Sequence, residues 1–239
     1  MATDGILLID KPAGLTSFGV VARVRRVLSQ EAGKKVKVGH TGTLDPFATG
    51  LLILLTGKET KRSGDFLKLD KWYEATVRLG QVSTTGDPEG EISEYVKNSK
   101  KEMASKKEEG EKKGVGRPNK EEVERVIASL KGEIEQRVPI YSAVKIRGRR
   151  AYDLARKGEI VKMPVRRVQI YQLEVVEYVW PELKIKCHVS SGTYIRSLGE
   201  EIGERLGVGG YLTMLRRTKV GKYGIEQAEN LEEWMRKLG

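Results

Sequence analysis

The chain has 239 residues, 38% of them hydrophobic and 32% charged, with a net charge of +11 and a pI near 9.6. That length suits one large domain or two small ones sharing a sheet, and the basic balance favours a polyanionic partner, nucleic acid first, although any lysine-rich soluble protein shares it. A single cysteine, Cys187, excludes an intramolecular disulfide, and no signal segment or apolar run of membrane-spanning length is present, so a cytoplasmic protein with no membrane partner is expected.

Gly5 to Ile9 predicts a short strand, turned by Lys11-Pro12-Ala13-Gly14. Thr16 or Ser17 is placed to cap a helix on which Val20, Val24, Val27 and Leu28 recur at helical spacing. Arg23, Arg25 and Arg26 take its other faces and read as solvated, ahead of contact with RNA. In Gly39 to Pro46 the glycines and proline break regular structure, whereas Leu51 to Leu55 is an unbroken apolar run of the length a buried strand needs. Asp45 therefore sits on a tight loop feeding a rigid strand. An Asp-Pro pair alone would only start a turn, but a histidine and several threonines and glycines around one carboxylate exceed what a turn requires. Gly57-Lys58 fails as a phosphate loop, because Glu59 follows the lysine and Gly50 lies one residue too far upstream.

Trp72 to Leu79 alternates, which puts Tyr73 on the buried side of a strand. Lys97 to Arg117 is almost entirely Lys, Glu, Gly, Ser and Asn and reads as an exposed insertion. Asn119 and Glu122 form a capping box for a helix striped by Val123, Val126, Ile127 and Leu130 and ended by Gly132. After Pro139 to Lys145 and the basic turn Arg147 to Arg150, a short helix is expected over Tyr152 to Lys157. Val165 to Val179 and Leu183 to Ser190 predict long strands in a hairpin near Pro181. Cys187 faces the core and His188 the opposite side, so the two cannot form a metal or nucleophile pair. Ser191 to Arg196 breaks the strand and opens a helix carrying Ile195, Leu198, Ile202 and Leu206. Arg196 falls in its first turn, where an acid would suit the helix dipole, so it is expected to answer to an anion from outside. Leu212 to Arg217 predicts a strand, and a last helix follows, capped by Asn230 and striped by Leu231, Trp234, Met235 and Leu238.

The stretch Gly39-His40-Thr41-Gly42-Thr43-Leu44-Asp45-Pro46-Phe47-Ala48-Thr49-Gly50-Leu51-Leu52 resembles the signature of the TruB family of tRNA pseudouridine synthases. Lys11-Pro12-x-Gly14-x-Thr16-Ser17, Lys71-Trp72-Tyr73, Tyr141-Ser142-Ala143-x-Lys145 and Ser191 to Arg196 resemble further motifs of that family. The resemblance runs from Gly5 to Met235, interrupted by the charged insertion. It implies an α+β fold: a mixed, mainly antiparallel central sheet flanked by helices, with a catalytic cleft across its middle. It also implies one catalytic domain over 1–239, with no C-terminal domain of PUA type. The implied reaction turns a uridine of the tRNA T-loop (position 55) into pseudouridine, with no cofactor, no metal and no guide RNA, and a monomer is expected. By resemblance Asp45 attacks or deprotonates the ribose, and Arg196 pairs with it. Tyr73 stacks on the uracil and serves in proton transfer, Tyr194 and Leu215 wall the ring, and His40 fills the place of the flipped base. A non-catalytic RNA-binding role and a glycosidase-like hydrolase remain as rivals. The second needs another placed carboxylate, and the sequence shows none beside Asp45.

Overall fold

In the computed structural model of the chain, residues 4–96, 116–142, 144–146, 148–155 and 162–238 are described. Most of the charged run expected over 97–117 lies outside them. The first part of the chain forms β1 (Gly5–Lys11), α1 (Ser17–Glu31), β2 (Val38–His40), β3 (Thr49–Thr56), α2 (Ser63–Leu67), β4 (Lys71–Leu79), β5 (Gln81–Ser83) and β6 (Ile92–Glu94). The second forms α3 (Lys120–Ser129), β7 (Gly132–Arg137), β8 (Lys145–Ile146), β9 (Arg149–Arg150), α4 (Ala151–Ala155), β10 (Val165–Val179), β11 (Glu182–Val189), α5 (Ile195–Arg205), β12 (Gly210–Val220), β13 (Tyr223–Gly224), β14 (Glu229–Asn230) and α6 (Leu231–Leu238). The expected helix at Tyr152 starts one residue earlier, and Arg156 and Lys157 lie outside the described residues.

The principal sheet runs β14-β1-β3-β12-β4-β11-β10-β7, with β2 added beside β3 and β13 beside β12. Among the described residues only the β1–β14 and β3–β12 pairs in it are parallel, so the mixed, mainly antiparallel sheet that the resemblance implies is present.

The continuous apolar run of β3 has a direct cause. Leu52 and Leu54 face α1 and α6, against Val20, Val24, Leu231 and Trp234, while Leu51, Ile53 and Leu55 face Phe66 and Val220. A strand covered on both faces cannot alternate. In the other half of the sheet one face is covered by α3 and α5, whose Val123, Ile127, Ile195, Leu198 and Ile202 meet Ala75, Val77, Leu183, Ile185 and Leu212. There β4 and β11 do alternate. Thr16 caps α1 by accepting from Gly19 N, and Asn119 and Glu122 make the reciprocal cap of α3.

Candidate active site

The loop after β2 is held on several sides before Asp45 is reached. Ser17 does not cap α1. Its Oγ accepts from Leu44 N at 2.8 Å and donates to Leu44 O at 2.9 Å, tying the helix start to the residue before Asp45. On the other flank Pro46 O accepts from Gly14 N at 2.8 Å and from Lys11 Nζ at 3.2 Å. Lys11 is fully buried, and its Nζ also donates to Pro12 O at 2.8 Å and Leu15 O at 2.7 Å. Burial lowers this amine to about 8, opposed by the charges of Asp45 and Glu89. Arg217, buried in β12, donates from Nη2 to Gly42 O at 3.1 Å and from Nε to Leu51 O at 2.8 Å. The Lys11 to Ser17 motif thus packs beneath the loop, and backbone carbonyls that a turn would leave unpaired are satisfied by buried cations.

Asp45 keeps 30% of its side chain exposed, while its partner Arg196 is 5% exposed. Nε of Arg196 stands 3.0 Å from Asp45 Oδ2, and Nη2 donates to Asp45 Oδ1 at 3.4 Å and to Tyr141 O at 2.7 Å. Nη1 donates to Asp87 Oδ2 at 3.1 Å and to Thr85 O at 2.9 Å. Burial pushes the Asp45 carboxyl above the usual carboxylate range. Arg196 opposes this, Asp87 adds to it, and Lys11 opposes it.

Asp87 is a second carboxylate that sequence reasoning missed. It is 2% exposed, and its Oδ1 accepts from Thr85 Oγ1 at 2.5 Å and from Glu89 N at 3.0 Å. With Oδ2 on Arg196, both oxygens are committed to protein donors, so it stands behind the guanidinium rather than in front of a substrate. An Asp-Pro in a glycine-bounded loop looks like any turn. Only the fold brings it to Arg196.

Tyr73 lies on β4, 8% exposed, in register with Cys187 of β11 and Arg217 of β12. Burial pushes its hydroxyl up, opposed by the charge and hydrogen bond of Arg217. Leu215 and Tyr73 belong to the apolar cluster that also holds Leu44 and Ala48 of the loop carrying Asp45. Tyr194 precedes α5, and its ring packs on the cluster of Val138, Ala151 and Met163. His40 ends β2, its Nδ1 accepting from Gly42 N at 3.4 Å. The structure therefore brings Asp45, Arg196, Tyr73 and Leu215 around one loop. Tyr194 joins them through the backbone that precedes Arg196, and His40 through the start of the loop. Cys187 is buried in the core, its thiol pushed up to about 12 by burial.

A family model described as the TruB family pseudouridylate synthase N-terminal domain matches residues 25–195, and one described as the tRNA pseudouridylate synthase B C-terminal domain matches residues 196–237. The chain belongs to the TruB family of pseudouridylate synthases.

Similar TruB-family proteins include tRNA pseudouridine synthase B of Mycobacterium sp. (strain KMS), 42% identical over 95% of this chain and 71% of the relative. The protein of the same name from Thermobifida fusca (strain YX) is 44% identical over 96% of this chain and 74% of the relative. Among solved structures, a chain of a Cbf5-Nop10-Gar1 complex superposes with a TM-score of 0.70 and 29% identity, over 98% of this chain and 54% of that one. An H/ACA RNP bound to a substrate RNA containing 2'-deoxyuridine gives a TM-score of 0.67 and 27% identity, over 97% and 52%. This TruB-family chain thus spans about half the length of the solved chains it matches. The boundary between the two family segments falls between Ile195 and Arg196, at the start of α5, so Asp45 on its loop and Arg196 on that helix come from different family segments.

Proposed function

We propose that this chain isomerises uridine to pseudouridine in tRNA, at the T-loop uridine in position 55, working as a cytoplasmic monomer without guide RNA or cofactor. The observation that carries the reading is the partly exposed Asp45 carboxylate, held by Arg196 on a loop pinned from below. The names of the TruB-family relatives supply the RNA class. The reaction breaks the bond from uracil N1 to the ribose, forms one from C5 to the same carbon, removes the proton from C5 and returns one to N1, so no atom is gained or lost. Such a step needs a carboxylate beside the sugar, and it needs the target base flipped out of its stack.

Arg196 favours the ionised form of Asp45, which burial opposes. Asp45 then attacks the sugar carbon or takes a proton from the ribose. Tyr73 stacks on the uracil, and because burial keeps its hydroxyl protonated it relays a proton as a hydroxyl and not as a phenolate. Leu215 and Tyr194 line the ring, and His40 occupies the space left in the loop.

Asp87 cannot act as the second carboxylate of a two-carboxylate hydrolase, because it is sealed behind Arg196 with both oxygens occupied. The test is incubation of an unmodified tRNA transcript with the protein and no additive. Pseudouridine at one T-loop position is expected. Free uracil would overturn the reading in favour of hydrolysis, and binding without product would leave a non-catalytic RNA-binding protein.

A further inference from the structure

The arginines of α1 read as a solvated face in the sequence, yet the fold gathers two of them into an open groove of about 560 Å³ with Lys34 and Lys35. Ser29 and Gln30 complete the polar lining, and no carboxylate takes part. The convergence is built. Gly33, at φ +60, reverses the chain as α1 ends, its N–H bonding to Gln30 O at 3.2 Å. Ser29 Oγ then accepts from Val36 N at 3.0 Å, which folds the turn carrying Lys34 and Lys35 back against the helix.

Among the described residues none of these cations has an ion-pair partner, and Arg25 lies over the Phe18 ring at 5.8 Å. The helix dipole does not account for the two arginines, since the last turn of α1 holds no basic residue. Like charges gathered without an acid repel one another. The start of α1 is fastened to the catalytic loop through Ser17 and Leu44, so Arg25, eight residues on, is about 12 Å along the helix from that contact. A distance of that order is short beside the stem that flanks a loop nucleotide bound at Asp45.

We propose that the groove formed by Arg25, Arg26, Lys34 and Lys35 is a second contact for RNA, binding the sugar-phosphate backbone that flanks the target loop. This rests on the reading that the chain acts on tRNA. The contact is electrostatic and sequence-independent, so it sets affinity and salt dependence while the Asp45 site sets chemistry.

The experiment compares wild type with the fourfold variant Arg25→Gln, Arg26→Gln, Lys34→Gln, Lys35→Gln. A control neutralises the exposed Lys61, Lys68, Arg125 and Lys131 in the same way. Affinity for an unmodified tRNA transcript is measured from about 50 to 200 mM salt, with kcat at saturating RNA. In the groove variant, affinity at about 100 mM salt should fall tenfold or more and the slope of log Kd against log salt should flatten by about 2 to 3, with kcat within about twofold of wild type. Unchanged affinity and slope in that variant would overturn the proposal, as would an equal loss in the control, which would mean that total charge and not this groove is felt. Wild type that fails to bind tRNA would overturn the functional reading itself, and this proposal with it.

Discussion

Arg196 and Asp45 meet through two guanidinium nitrogens, at 3.0 and 3.4 Å, across 151 residues of sequence. A planar, forked cation is needed there, because the same guanidinium also serves Asp87, Thr85 O and Tyr141 O. Replacing Asp45 with Asn should lower turnover about 10³-fold or more while leaving tRNA affinity nearly unchanged. Arg196→Lys should cost about 10²-fold, since an ammonium cannot span the four acceptors. Single-turnover rates beside binding isotherms check both, and near-wild-type turnover in either variant would remove that residue from the site.

The Asp45 carboxyl, raised by burial, has a consequence for stability. A group whose pKa is higher folded than unfolded favours the fold below its unfolded pKa, and that contribution is lost as pH rises through the folded value. At neutral pH, well above the unfolded value, Asp45 therefore weakens the fold relative to a neutral side chain. Asp45→Asn should raise the Tm at pH 7, by about 2–4 °C for each kcal/mol relieved, and the gain should vanish at about pH 3, below the ordinary Asp range. A variant less stable than wild type at pH 7 would contradict this.

Lys11, lowered to about 8, sets the alkaline side. As an ammonium it has a proton for each of Pro12 O, Leu15 O and Pro46 O, and above that pH it loses one. Turnover should decline above about pH 8 as the hold on Pro46 weakens. Lys71 is also lowered to about 8 by burial and bonds Leu67 O and Leu69 O, away from the loop. A kcat/KM profile of Lys71→Met should keep the alkaline limb, and its disappearance there would reassign the limb to Lys71.

Gln136 of β7 clasps the residue before α5, its Oε1 accepting from Tyr194 N at 2.7 Å and its Nε2 donating to Tyr194 O at 3.0 Å. No side chain of the helix itself caps this end. As a positioning residue for Arg196, Gln136→Ala should lower kcat about tenfold with little change in KM. It should also move the acid limb of the pH profile upward, because a displaced Arg196 opposes the burial of Asp45 less, with Lys11 still opposing it and Asp87 and Glu89 unchanged. A lower Tm with an unmoved limb would mean that the clasp is only structural.

Gly203 lets α5 touch the turn before β12. Its carbonyl accepts from Val208 N at 3.0 Å and Gly209 N at 2.9 Å, and an added Cβ would lie 2.2 Å from Gly209 C. Alanine improves helix propensity by about 1 kcal/mol, far less than such a backbone clash costs. Gly203→Ala should lower the Tm by roughly 5 °C or more in thermal melts, and an unchanged Tm would show that the helix can slide.

The elements that the sequence announced are those whose residues state their surroundings. The unbroken run of β3 reports burial on both faces, the Asn119–Glu122 box reports a helix start, and Asp45 and Arg196 stand out by motif. Arg217 did not. A register shift in β12 between Leu212 and Met214 puts Leu212 and Leu215, three residues apart, in the same core, so alternation read from the start of the strand misassigns the side that Arg217 shares with Leu215. Lys11, Asp87 and Gln136 are single polar residues whose partners are backbone groups or a cation far away in sequence, and no local pattern encodes such partners. The groove on α1 needed the Gly33 turn, which only the folded chain shows.

The position of β12 bears on how this protein can be divided. The strand comes from residues 210–220 yet lies between β3 and β4, both of which precede Gly80. A fragment ending at Ile195 would match one whole family segment and still leave β4 with an open hydrogen-bonding edge from Lys71 to Leu79 beside the apolar β3. Unpaired edges of that kind recruit other chains. The two family segments are thus obligate partners in solubility as well as in forming the Asp45–Arg196 pair, and a polypeptide cut at that boundary should be recovered as aggregate.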